Sequence, residues 1–153
     1  MEAAFALADE AAMDGEIPVG AVIVDREGRI IGRGRNRRES GDPLGHAELY
    51  AIREASQAIG DWRLEGTTMF VTLEPCAMCA GALVNARVER LVFAAYDPKA
   101  GFCGSLGNLV QDARLNHRLD VEAGFMEERS RTMLQEFFRK LRERDRTERW
   151  QSG

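Results

Sequence analysis

Apolar residues in this chain fall into short blocks with two different periods. Residues 2–13, EAAFALADEAAM, are alanine-rich and read as a helix. VGAVIV (19–24) is an unbroken β-branched run behind Pro18, which predicts a buried strand. The turn DREG (25–28) and the run RIIGRG (29–34) follow it, so 19–34 predicts a hairpin. Residues 46–59 have helical spacing and stop at Gly60, a suitable C-terminal cap. TMFVTL (68–73) predicts a strand, 76–87 a helix and RLVFAAY (90–96) another strand. Residues 101–118 read as loop with some helix, and 119–124 as a short strand. The last helix is predicted from about 126 into the 140s, with a stripe of Met126, Met133, Leu134, Phe137, Phe138 and Leu141. No apolar residue follows Leu141 until Trp150, so 143–153 is expected to be a charged tail that outruns the core and frays. Strands alternating with helices predict an α/β fold, a three-layer α/β/α sandwich around a mixed sheet. With no repeat or linker, 1–153 reads as a single domain.

Composition narrows the setting. The chain is 44% apolar and 30% charged, as a globular protein is. No apolar run approaches the ~20 residues of a membrane span. The first residues carry acids where a secretory signal carries bases. Three cysteines without an export signal point to a reducing compartment, so the protein is expected to be cytoplasmic, with no membrane partner. The net charge of −4 argues mildly against nucleic acid, but its distribution is uneven. Residues 1–27 hold seven acids against Arg26, whereas 137–149 hold six bases against Glu143, Asp145 and Glu148. Such a basic end is either a solvated helix face or a phosphate-contacting patch.

The chemistry concentrates at two helix starts. Cys76 and Cys79, in EPCAMC, form a Cys-x-x-Cys behind a proline. Three readings fit that pair: a redox motif, half of a metal site, or two small core residues. A second cluster decides between them, because GHAELYAIREA (45–55) places His46 and Glu48 at another helix start. First-turn side chains project off a helix N-terminus, residues three apart share a face, and the helix dipole there favours thiolates. One imidazole and two thiolates suit zinc, and three protein ligands suit a catalytic zinc that keeps a position for water. A structural zinc needs a fourth ligand, for which only Cys103 and His117 remain, both in the loop-rich region. Glu48, Ile52, Ala55 and Ile59 fall on one helical stripe, so the carboxylate is expected to point inward, where burial raises its pKa as proton transfer near neutrality requires.

These residues carry a resemblance. HAE followed by PCAMC matches the H-x-E…P-C-x-x-C signature of zinc-dependent nucleobase deaminases. Together with IPVGAVIV, GRNR, DPLGHAE, VTLEPCAMCAGALVNARVERLVFAAYDPKAG, LNHR and EFFRKLR, the chain resembles, to about residue 142, the bacterial tRNA-specific adenosine deaminases. The resemblance implies a cytidine deaminase-like fold, one Zn2+ per subunit on His46, Cys76 and Cys79, and hydrolysis of adenosine to inosine at the wobble position of the anticodon. It implies that Glu48 takes a proton from the zinc-activated water, delivers it to N1 of adenine and passes a proton to the departing ammonia. It implies that Asn36 meets the base edge, Asp97 a ribose hydroxyl, Lys99 a phosphate, and Arg139 and Arg142 the tRNA anticodon stem-loop. A homodimer, with the RNA site shared between subunits, is also implied. The chain departs from the family in starting a few residues late and in the Tyr96 and Pro98 that flank Asp97; Cys103 is read as a free thiol without a role. The alternatives are a deaminase of a free base such as guanine or cytosine, for which the basic last helix has no use, and an RNA-binding module with a structural zinc.

Overall fold

The computed structural model describes residues 1–152. Its elements are α1 (Glu2–Met13), β1 (Gly20–Val24), β2 (Ile30–Arg35), α2 (Ala47–Ile59), β3 (Thr68–Leu73), α3 (Ala77–Asn85), β4 (Arg90–Ala95), β5 (Asp120–Ala123) and α4 (Glu127–Gln151). The five strands form one sheet in the order β2-β1-β3-β4-β5. β1 runs antiparallel to both β2 and β3, whereas β3, β4 and β5 run parallel to one another. This is the mixed α/β/α sandwich that the alternation of periods predicts.

Both faces are covered, which is why β1 and β4 are apolar without alternation. α1 and α4 share one face, where the Arg129 guanidinium lies 4.3 Å over the Phe5 ring and bonds Glu2 at 2.6 Å. α2 and α3 cover the other, with Ala47, Ala51, Ala55, Ala80, Leu83 and Val84 set against Ala21, Ile23, Val71, Leu91 and Phe93. Glycine makes the α2 contact possible. A β-carbon on Gly34 would lie 1.9 Å from the Ala47 carbonyl oxygen, and one on Gly32 would lie 2.2 Å from that of Ala51. Backbone cannot yield as a flexible side chain does, so Gly34→Ala is expected to lift the start of α2 off the sheet, at a cost of about 1–3 kcal/mol. A lowered urea midpoint checks this, together with weaker metal retention, because His46 caps this helix.

Three regions depart from the sequence-based expectation. Residues 101–118 contain no helix; glycines at 101, 104 and 107 break the chain into turns, yet Cys103 and Val110 still reach the core. The stripe on α2 is rotated from the one expected, since Ala47, Glu48, Ala51 and Ala55 are buried while Ile59 is 46% exposed where the helix ends. α4 does outrun the core as expected, but it does not fray: its turns continue to Gln151, with pairs such as Arg139–Glu143 at 2.8 Å along the exposed side. Its apolar stripe is only half-buried, and Ser130 is its one buried residue, its hydroxyl donating to the Thr72 carbonyl.

Candidate active site

The site forms where two helix starts face each other across the C-terminal end of the parallel strands. His46 is the N-cap of α2 and Cys76 the N-cap of α3, both in extended backbone conformation, and Cys79 lies in the first turn of α3. Extended caps turn the chain into each helix and aim these side chains off its end. His46 Nδ1 lies 3.5 Å from Cys76 Sγ and 3.5 Å from Cys79 Sγ. All three donor atoms lie within 4.8 Å of one another.

The spacing of these donors fits zinc. Bonds of about 2.3 Å to sulfur and about 2.0–2.1 Å to nitrogen, opened at a tetrahedral angle, put the two donor atoms ~3.6 Å apart. The observed 3.5 Å matches on both sulfurs. Cys76 is held as a thiolate, its pKa lowered to about 4 chiefly by the hydrogen bond from Cys79, whose own thiol is pushed up by that same bond. The bond to Cys76 also raises His46. A cation seated among the three donors would take over these contacts, and soft sulfur with imidazole suits zinc.

No fourth protein donor joins them among the described residues. Cys103 is buried outside the group, its thiol pushed up by burial. His117 donates from Nε2 to the Val88 carbonyl at 2.7 Å, fastening a distant loop. Three protein donors would leave a bound zinc one coordination position for solvent, as a catalytic site requires and a structural one does not.

Beside the donors lies a cavity of about 150 Å³, lined by Ile17, Val19, Asn36, Arg38, His46, Glu48, Leu73, Glu74, Cys76, Asp97 and Ala100. It is smaller than the ~300–1,000 Å³ of sites for larger ligands and suits a single inserted base. Glu48 stands in its wall, 4% exposed, with its pKa raised by burial to about 7. Asn36 Oδ1 accepts from the Ala47 amide at 3.2 Å, which fixes the side chain at the start of α2. Asp97 Oδ1 accepts from the amides of Lys99 (3.1 Å) and Ala100 (3.3 Å), closing a tight turn at the cavity edge.

The remaining expected residues lie outside the cavity. Lys99 and Arg142 share a neighbouring groove with Tyr96, Arg131 and Phe138. Arg139 is turned along α4 toward Glu143, on the face that carries Arg146 and Arg149. Two buried carboxylates were missed in the sequence. Glu16 accepts from the amides of Glu39 (2.9 Å) and Ser40 (3.0 Å), pinning the loop between Asn36 and His46. Glu74 gathers the loop after β4. The available signal for Glu74 was an acid between an apolar strand and Pro75, a position where a charge needs partners.

Removing an exocyclic amine from a base with water calls for a Lewis acid with an open position, a carboxylate that exchanges protons near neutral pH, and a slot for one flat ring. The cavity has a donor set that could hold such a metal, a buried carboxylate and space for one base, which fits the class of hydrolytic nucleobase deaminases. Comparison with known proteins carries the assignment further. The MafB19-like deaminase family model matches residues 1–142. The tRNA-specific adenosine deaminase of Bacillus subtilis is 49% identical over 150 residues, covering 97% of this chain and 92% of the relative. A structure solved in a study of A-to-I editing by tRNA:A34 deaminases at the wobble position superposes with a TM-score of 0.82 at 43% identity, covering 88% of this chain and 97% of the other. The guanine deaminase of Nitrosomonas europaea, at 22% identity and a TM-score of 0.76 over 88% of this chain and 80% of its own, shares the fold alone. The chain belongs to the MafB19-like deaminase family and, within it, to the tRNA-specific adenosine deaminases.

Proposed function

We propose that the chain, as one deaminase domain over 1–153, converts adenosine to inosine by hydrolysis at the wobble position of a tRNA anticodon. The observation that carries this reading is the meeting of His46, Cys76 and Cys79 at one point beside the buried Glu48. The names of its relatives support tRNA adenosine as the substrate.

His46, Cys76 and Cys79 would hold zinc, which when bound would supply a Lewis acid that lowers the pKa of water. Glu48 takes a proton from the attacking water as the water oxygen bonds to C6 and hands that proton to N1 of the adenine ring; it then moves the proton of the new hydroxyl to the exocyclic nitrogen as the C6–N bond breaks and ammonia leaves. A group raised to about 7 by burial can do both; the cation's charge draws it back toward the ionised form in which it starts. Asn36, whose Oδ1 is engaged by the Ala47 amide, presents its amide nitrogen to an acceptor on the purine edge. Asp97 accepts from a ribose 2′-hydroxyl, which favours RNA over DNA. Lys99 and Arg142 meet phosphates from their shared groove. Arg139 exchanges Glu143 for a phosphate at small cost, because an exposed ion pair contributes little.

A homodimer fits the apolar surface that the single chain leaves open, including Leu44 (50% exposed), Trp62 (52%) and Leu106 (57%). No helix among the described residues is long and apolar enough to cross a membrane. A tRNA substrate agrees with a cytoplasmic enzyme.

Inosine mapping on bulk tRNA incubated with the protein tests the reading, alongside ammonia release from an anticodon stem-loop and from free guanine and cytosine. Turnover is expected on the stem-loop alone, and it should weaken with added salt at subsaturating RNA. Turnover confined to a free base would overturn the tRNA assignment.

A further inference from the structure

We propose that Glu74 is a positioning residue: it locks the Asp97–Lys99 turn to the strand end that leads into Cys76, and so sets how tightly the nucleotide is held. The proposal rests on the reading of Asp97 and Lys99 as nucleotide contacts.

Glu74 is 2% exposed and follows the last residue of β3. It takes part in no salt bridge among the described residues, so hydrogen bonds alone offset the burial of its carboxylate. Oε1 accepts from the Asp97 amide at 3.1 Å and from the Ser105 hydroxyl. Oε2 accepts from the amides of Cys103 at 3.1 Å and Ser105 at 3.0 Å. These four bonds fill the acceptor capacity of an ionised carboxylate. All four donors come from one segment, 97–105, which therefore wraps a single buried charge.

Backbone bonds align the same two segments. The Glu74 amide donates to the Ala95 carbonyl at 2.8 Å, the Phe102 amide donates to the Pro75 carbonyl at 2.9 Å, and Cys76 pairs with Gly101. Gly101 permits the close approach, since a β-carbon there would lie 2.2 Å from Oε2 and 2.3 Å from Cδ of Glu74. Asp97 in turn closes its own turn onto the Lys99 and Ala100 amides, so Asp97 and Lys99 move together when the Asp97 amide is released.

Glu74→Gln keeps the shape of the side chain but replaces one acceptor oxygen with a donor. With the NH2 group on the Oε1 side the Ser105 hydroxyl can turn round and accept from it, but the Asp97 amide is left facing a donor, a costly arrangement in a buried place. The backbone bonds that fix Cys76 are untouched. The loop should loosen while the metal donors stay in place.

The test measures steady-state kinetics on an anticodon stem-loop, zinc content, and amide hydrogen exchange of 97–105 in the zinc-loaded protein. Glu74→Gln and the milder Ser105→Ala are compared with Asp97→Asn. Glu74→Gln is expected to raise KM about 10- to 100-fold, the range typical of a change one step removed from the reacting groups, with kcat and zinc content kept and exchange accelerated in 97–105. Ser105→Ala should move KM and exchange the same way by less. Glu74→Gln combined with Asp97→Asn should raise KM no further than the larger single change, because both act through one contact. Unchanged exchange, lost zinc, a fall in kcat at constant KM, or additive effects of the two changes would each overturn the proposal. Failure of the substrate reading shows separately, as a parent protein without stem-loop turnover, and the exchange measurement then still decides whether Glu74 holds the loop.

Discussion

Replacing Glu48 with glutamine is expected to lower the deamination rate about 10²- to 10⁴-fold, the range over which a positioned acid–base group contributes, while fold and metal content are kept. Glutamine occupies the same place in the cavity wall but cannot ferry a proton from water to the ring and on to the leaving amine. The metal donors lie on His46, Cys76 and Cys79, so zinc analysis should still give one ion per chain. Single-turnover kinetics on a stem-loop, set beside that analysis, provide the check. A variant that keeps its metal and turns over at the parent rate would remove Glu48 from the mechanism.

The same substitution has a pH signature in protein stripped with a chelator. Burial raises Glu48 from the ordinary 4.5 to about 7. Between these values the native Glu48 holds a proton that the unfolded chain has released, so this group's contribution to stability falls as pH rises through the window, while the Cys76 thiolate contributes in the opposite sense. Glu48→Gln has no such proton, so the stability of the parent relative to the variant should fall as pH rises from about 4.5 to about 7, whatever slope Cys76 and His46 give to both proteins. Urea midpoints across that range give the comparison.

The second large effect concerns the donors. Cys79→Ala is expected to cost the protein its zinc and, with it, all detectable deamination. Cys79 is fully buried in the first turn of α3, 3.5 Å from His46 Nδ1. Removing one of three donors should weaken metal binding by more than the 10- to 100-fold typical of changes outside the ligands themselves. Metal content after dialysis, and activity after zinc is returned, are the readouts. Cys103→Ala and His117→Ala serve as controls, since neither side chain belongs to the three-donor group. Both should keep one zinc per chain. Full metal content in Cys79→Ala, or loss of metal in either control, would mean that the donor set is misassigned.

The ligand cluster was legible in the chain because the reasons for it are local. Helix starts can be read from Pro75 and Gly45, and spacing puts Cys76 and Cys79 on one face, so the only open question was whether the two starts meet. Glu48 was legible for the same reason, although the stripe that pointed to it is rotated: Ala47 and Ala51 are buried against Gly34 and Gly32, whereas Ile59 faces solvent. The glycines carry no hydrophobic signal, so the close approach that shifts the helix was invisible in the pattern. Glu16 and Glu74 were missed because their partners, backbone amides but for the Ser105 hydroxyl, lie 23 to 31 residues away, and amides leave no mark in a sequence. The far end of α4 was misread because the apolar stripe runs out at Leu141, while pairing along an exposed helix carries the turns on to Gln151.

By itself the sequence determined most of the helices and strands, though not the helix-free course of 101–118 or the far end of α4, and the kinds of atom offered at two helix starts, because propensity, capping and side-chain period act over a few residues. Only the tertiary structure decided that His46 Nδ1 stands 3.5 Å from each of the two sulfurs, that a base-sized cavity opens beside Glu48, and that one buried carboxylate gathers the loop bearing Asp97 and Lys99. Those facts depend on how closely α2 and α3 approach the sheet and on bonds between distant backbone groups, which arise only when the whole chain is packed.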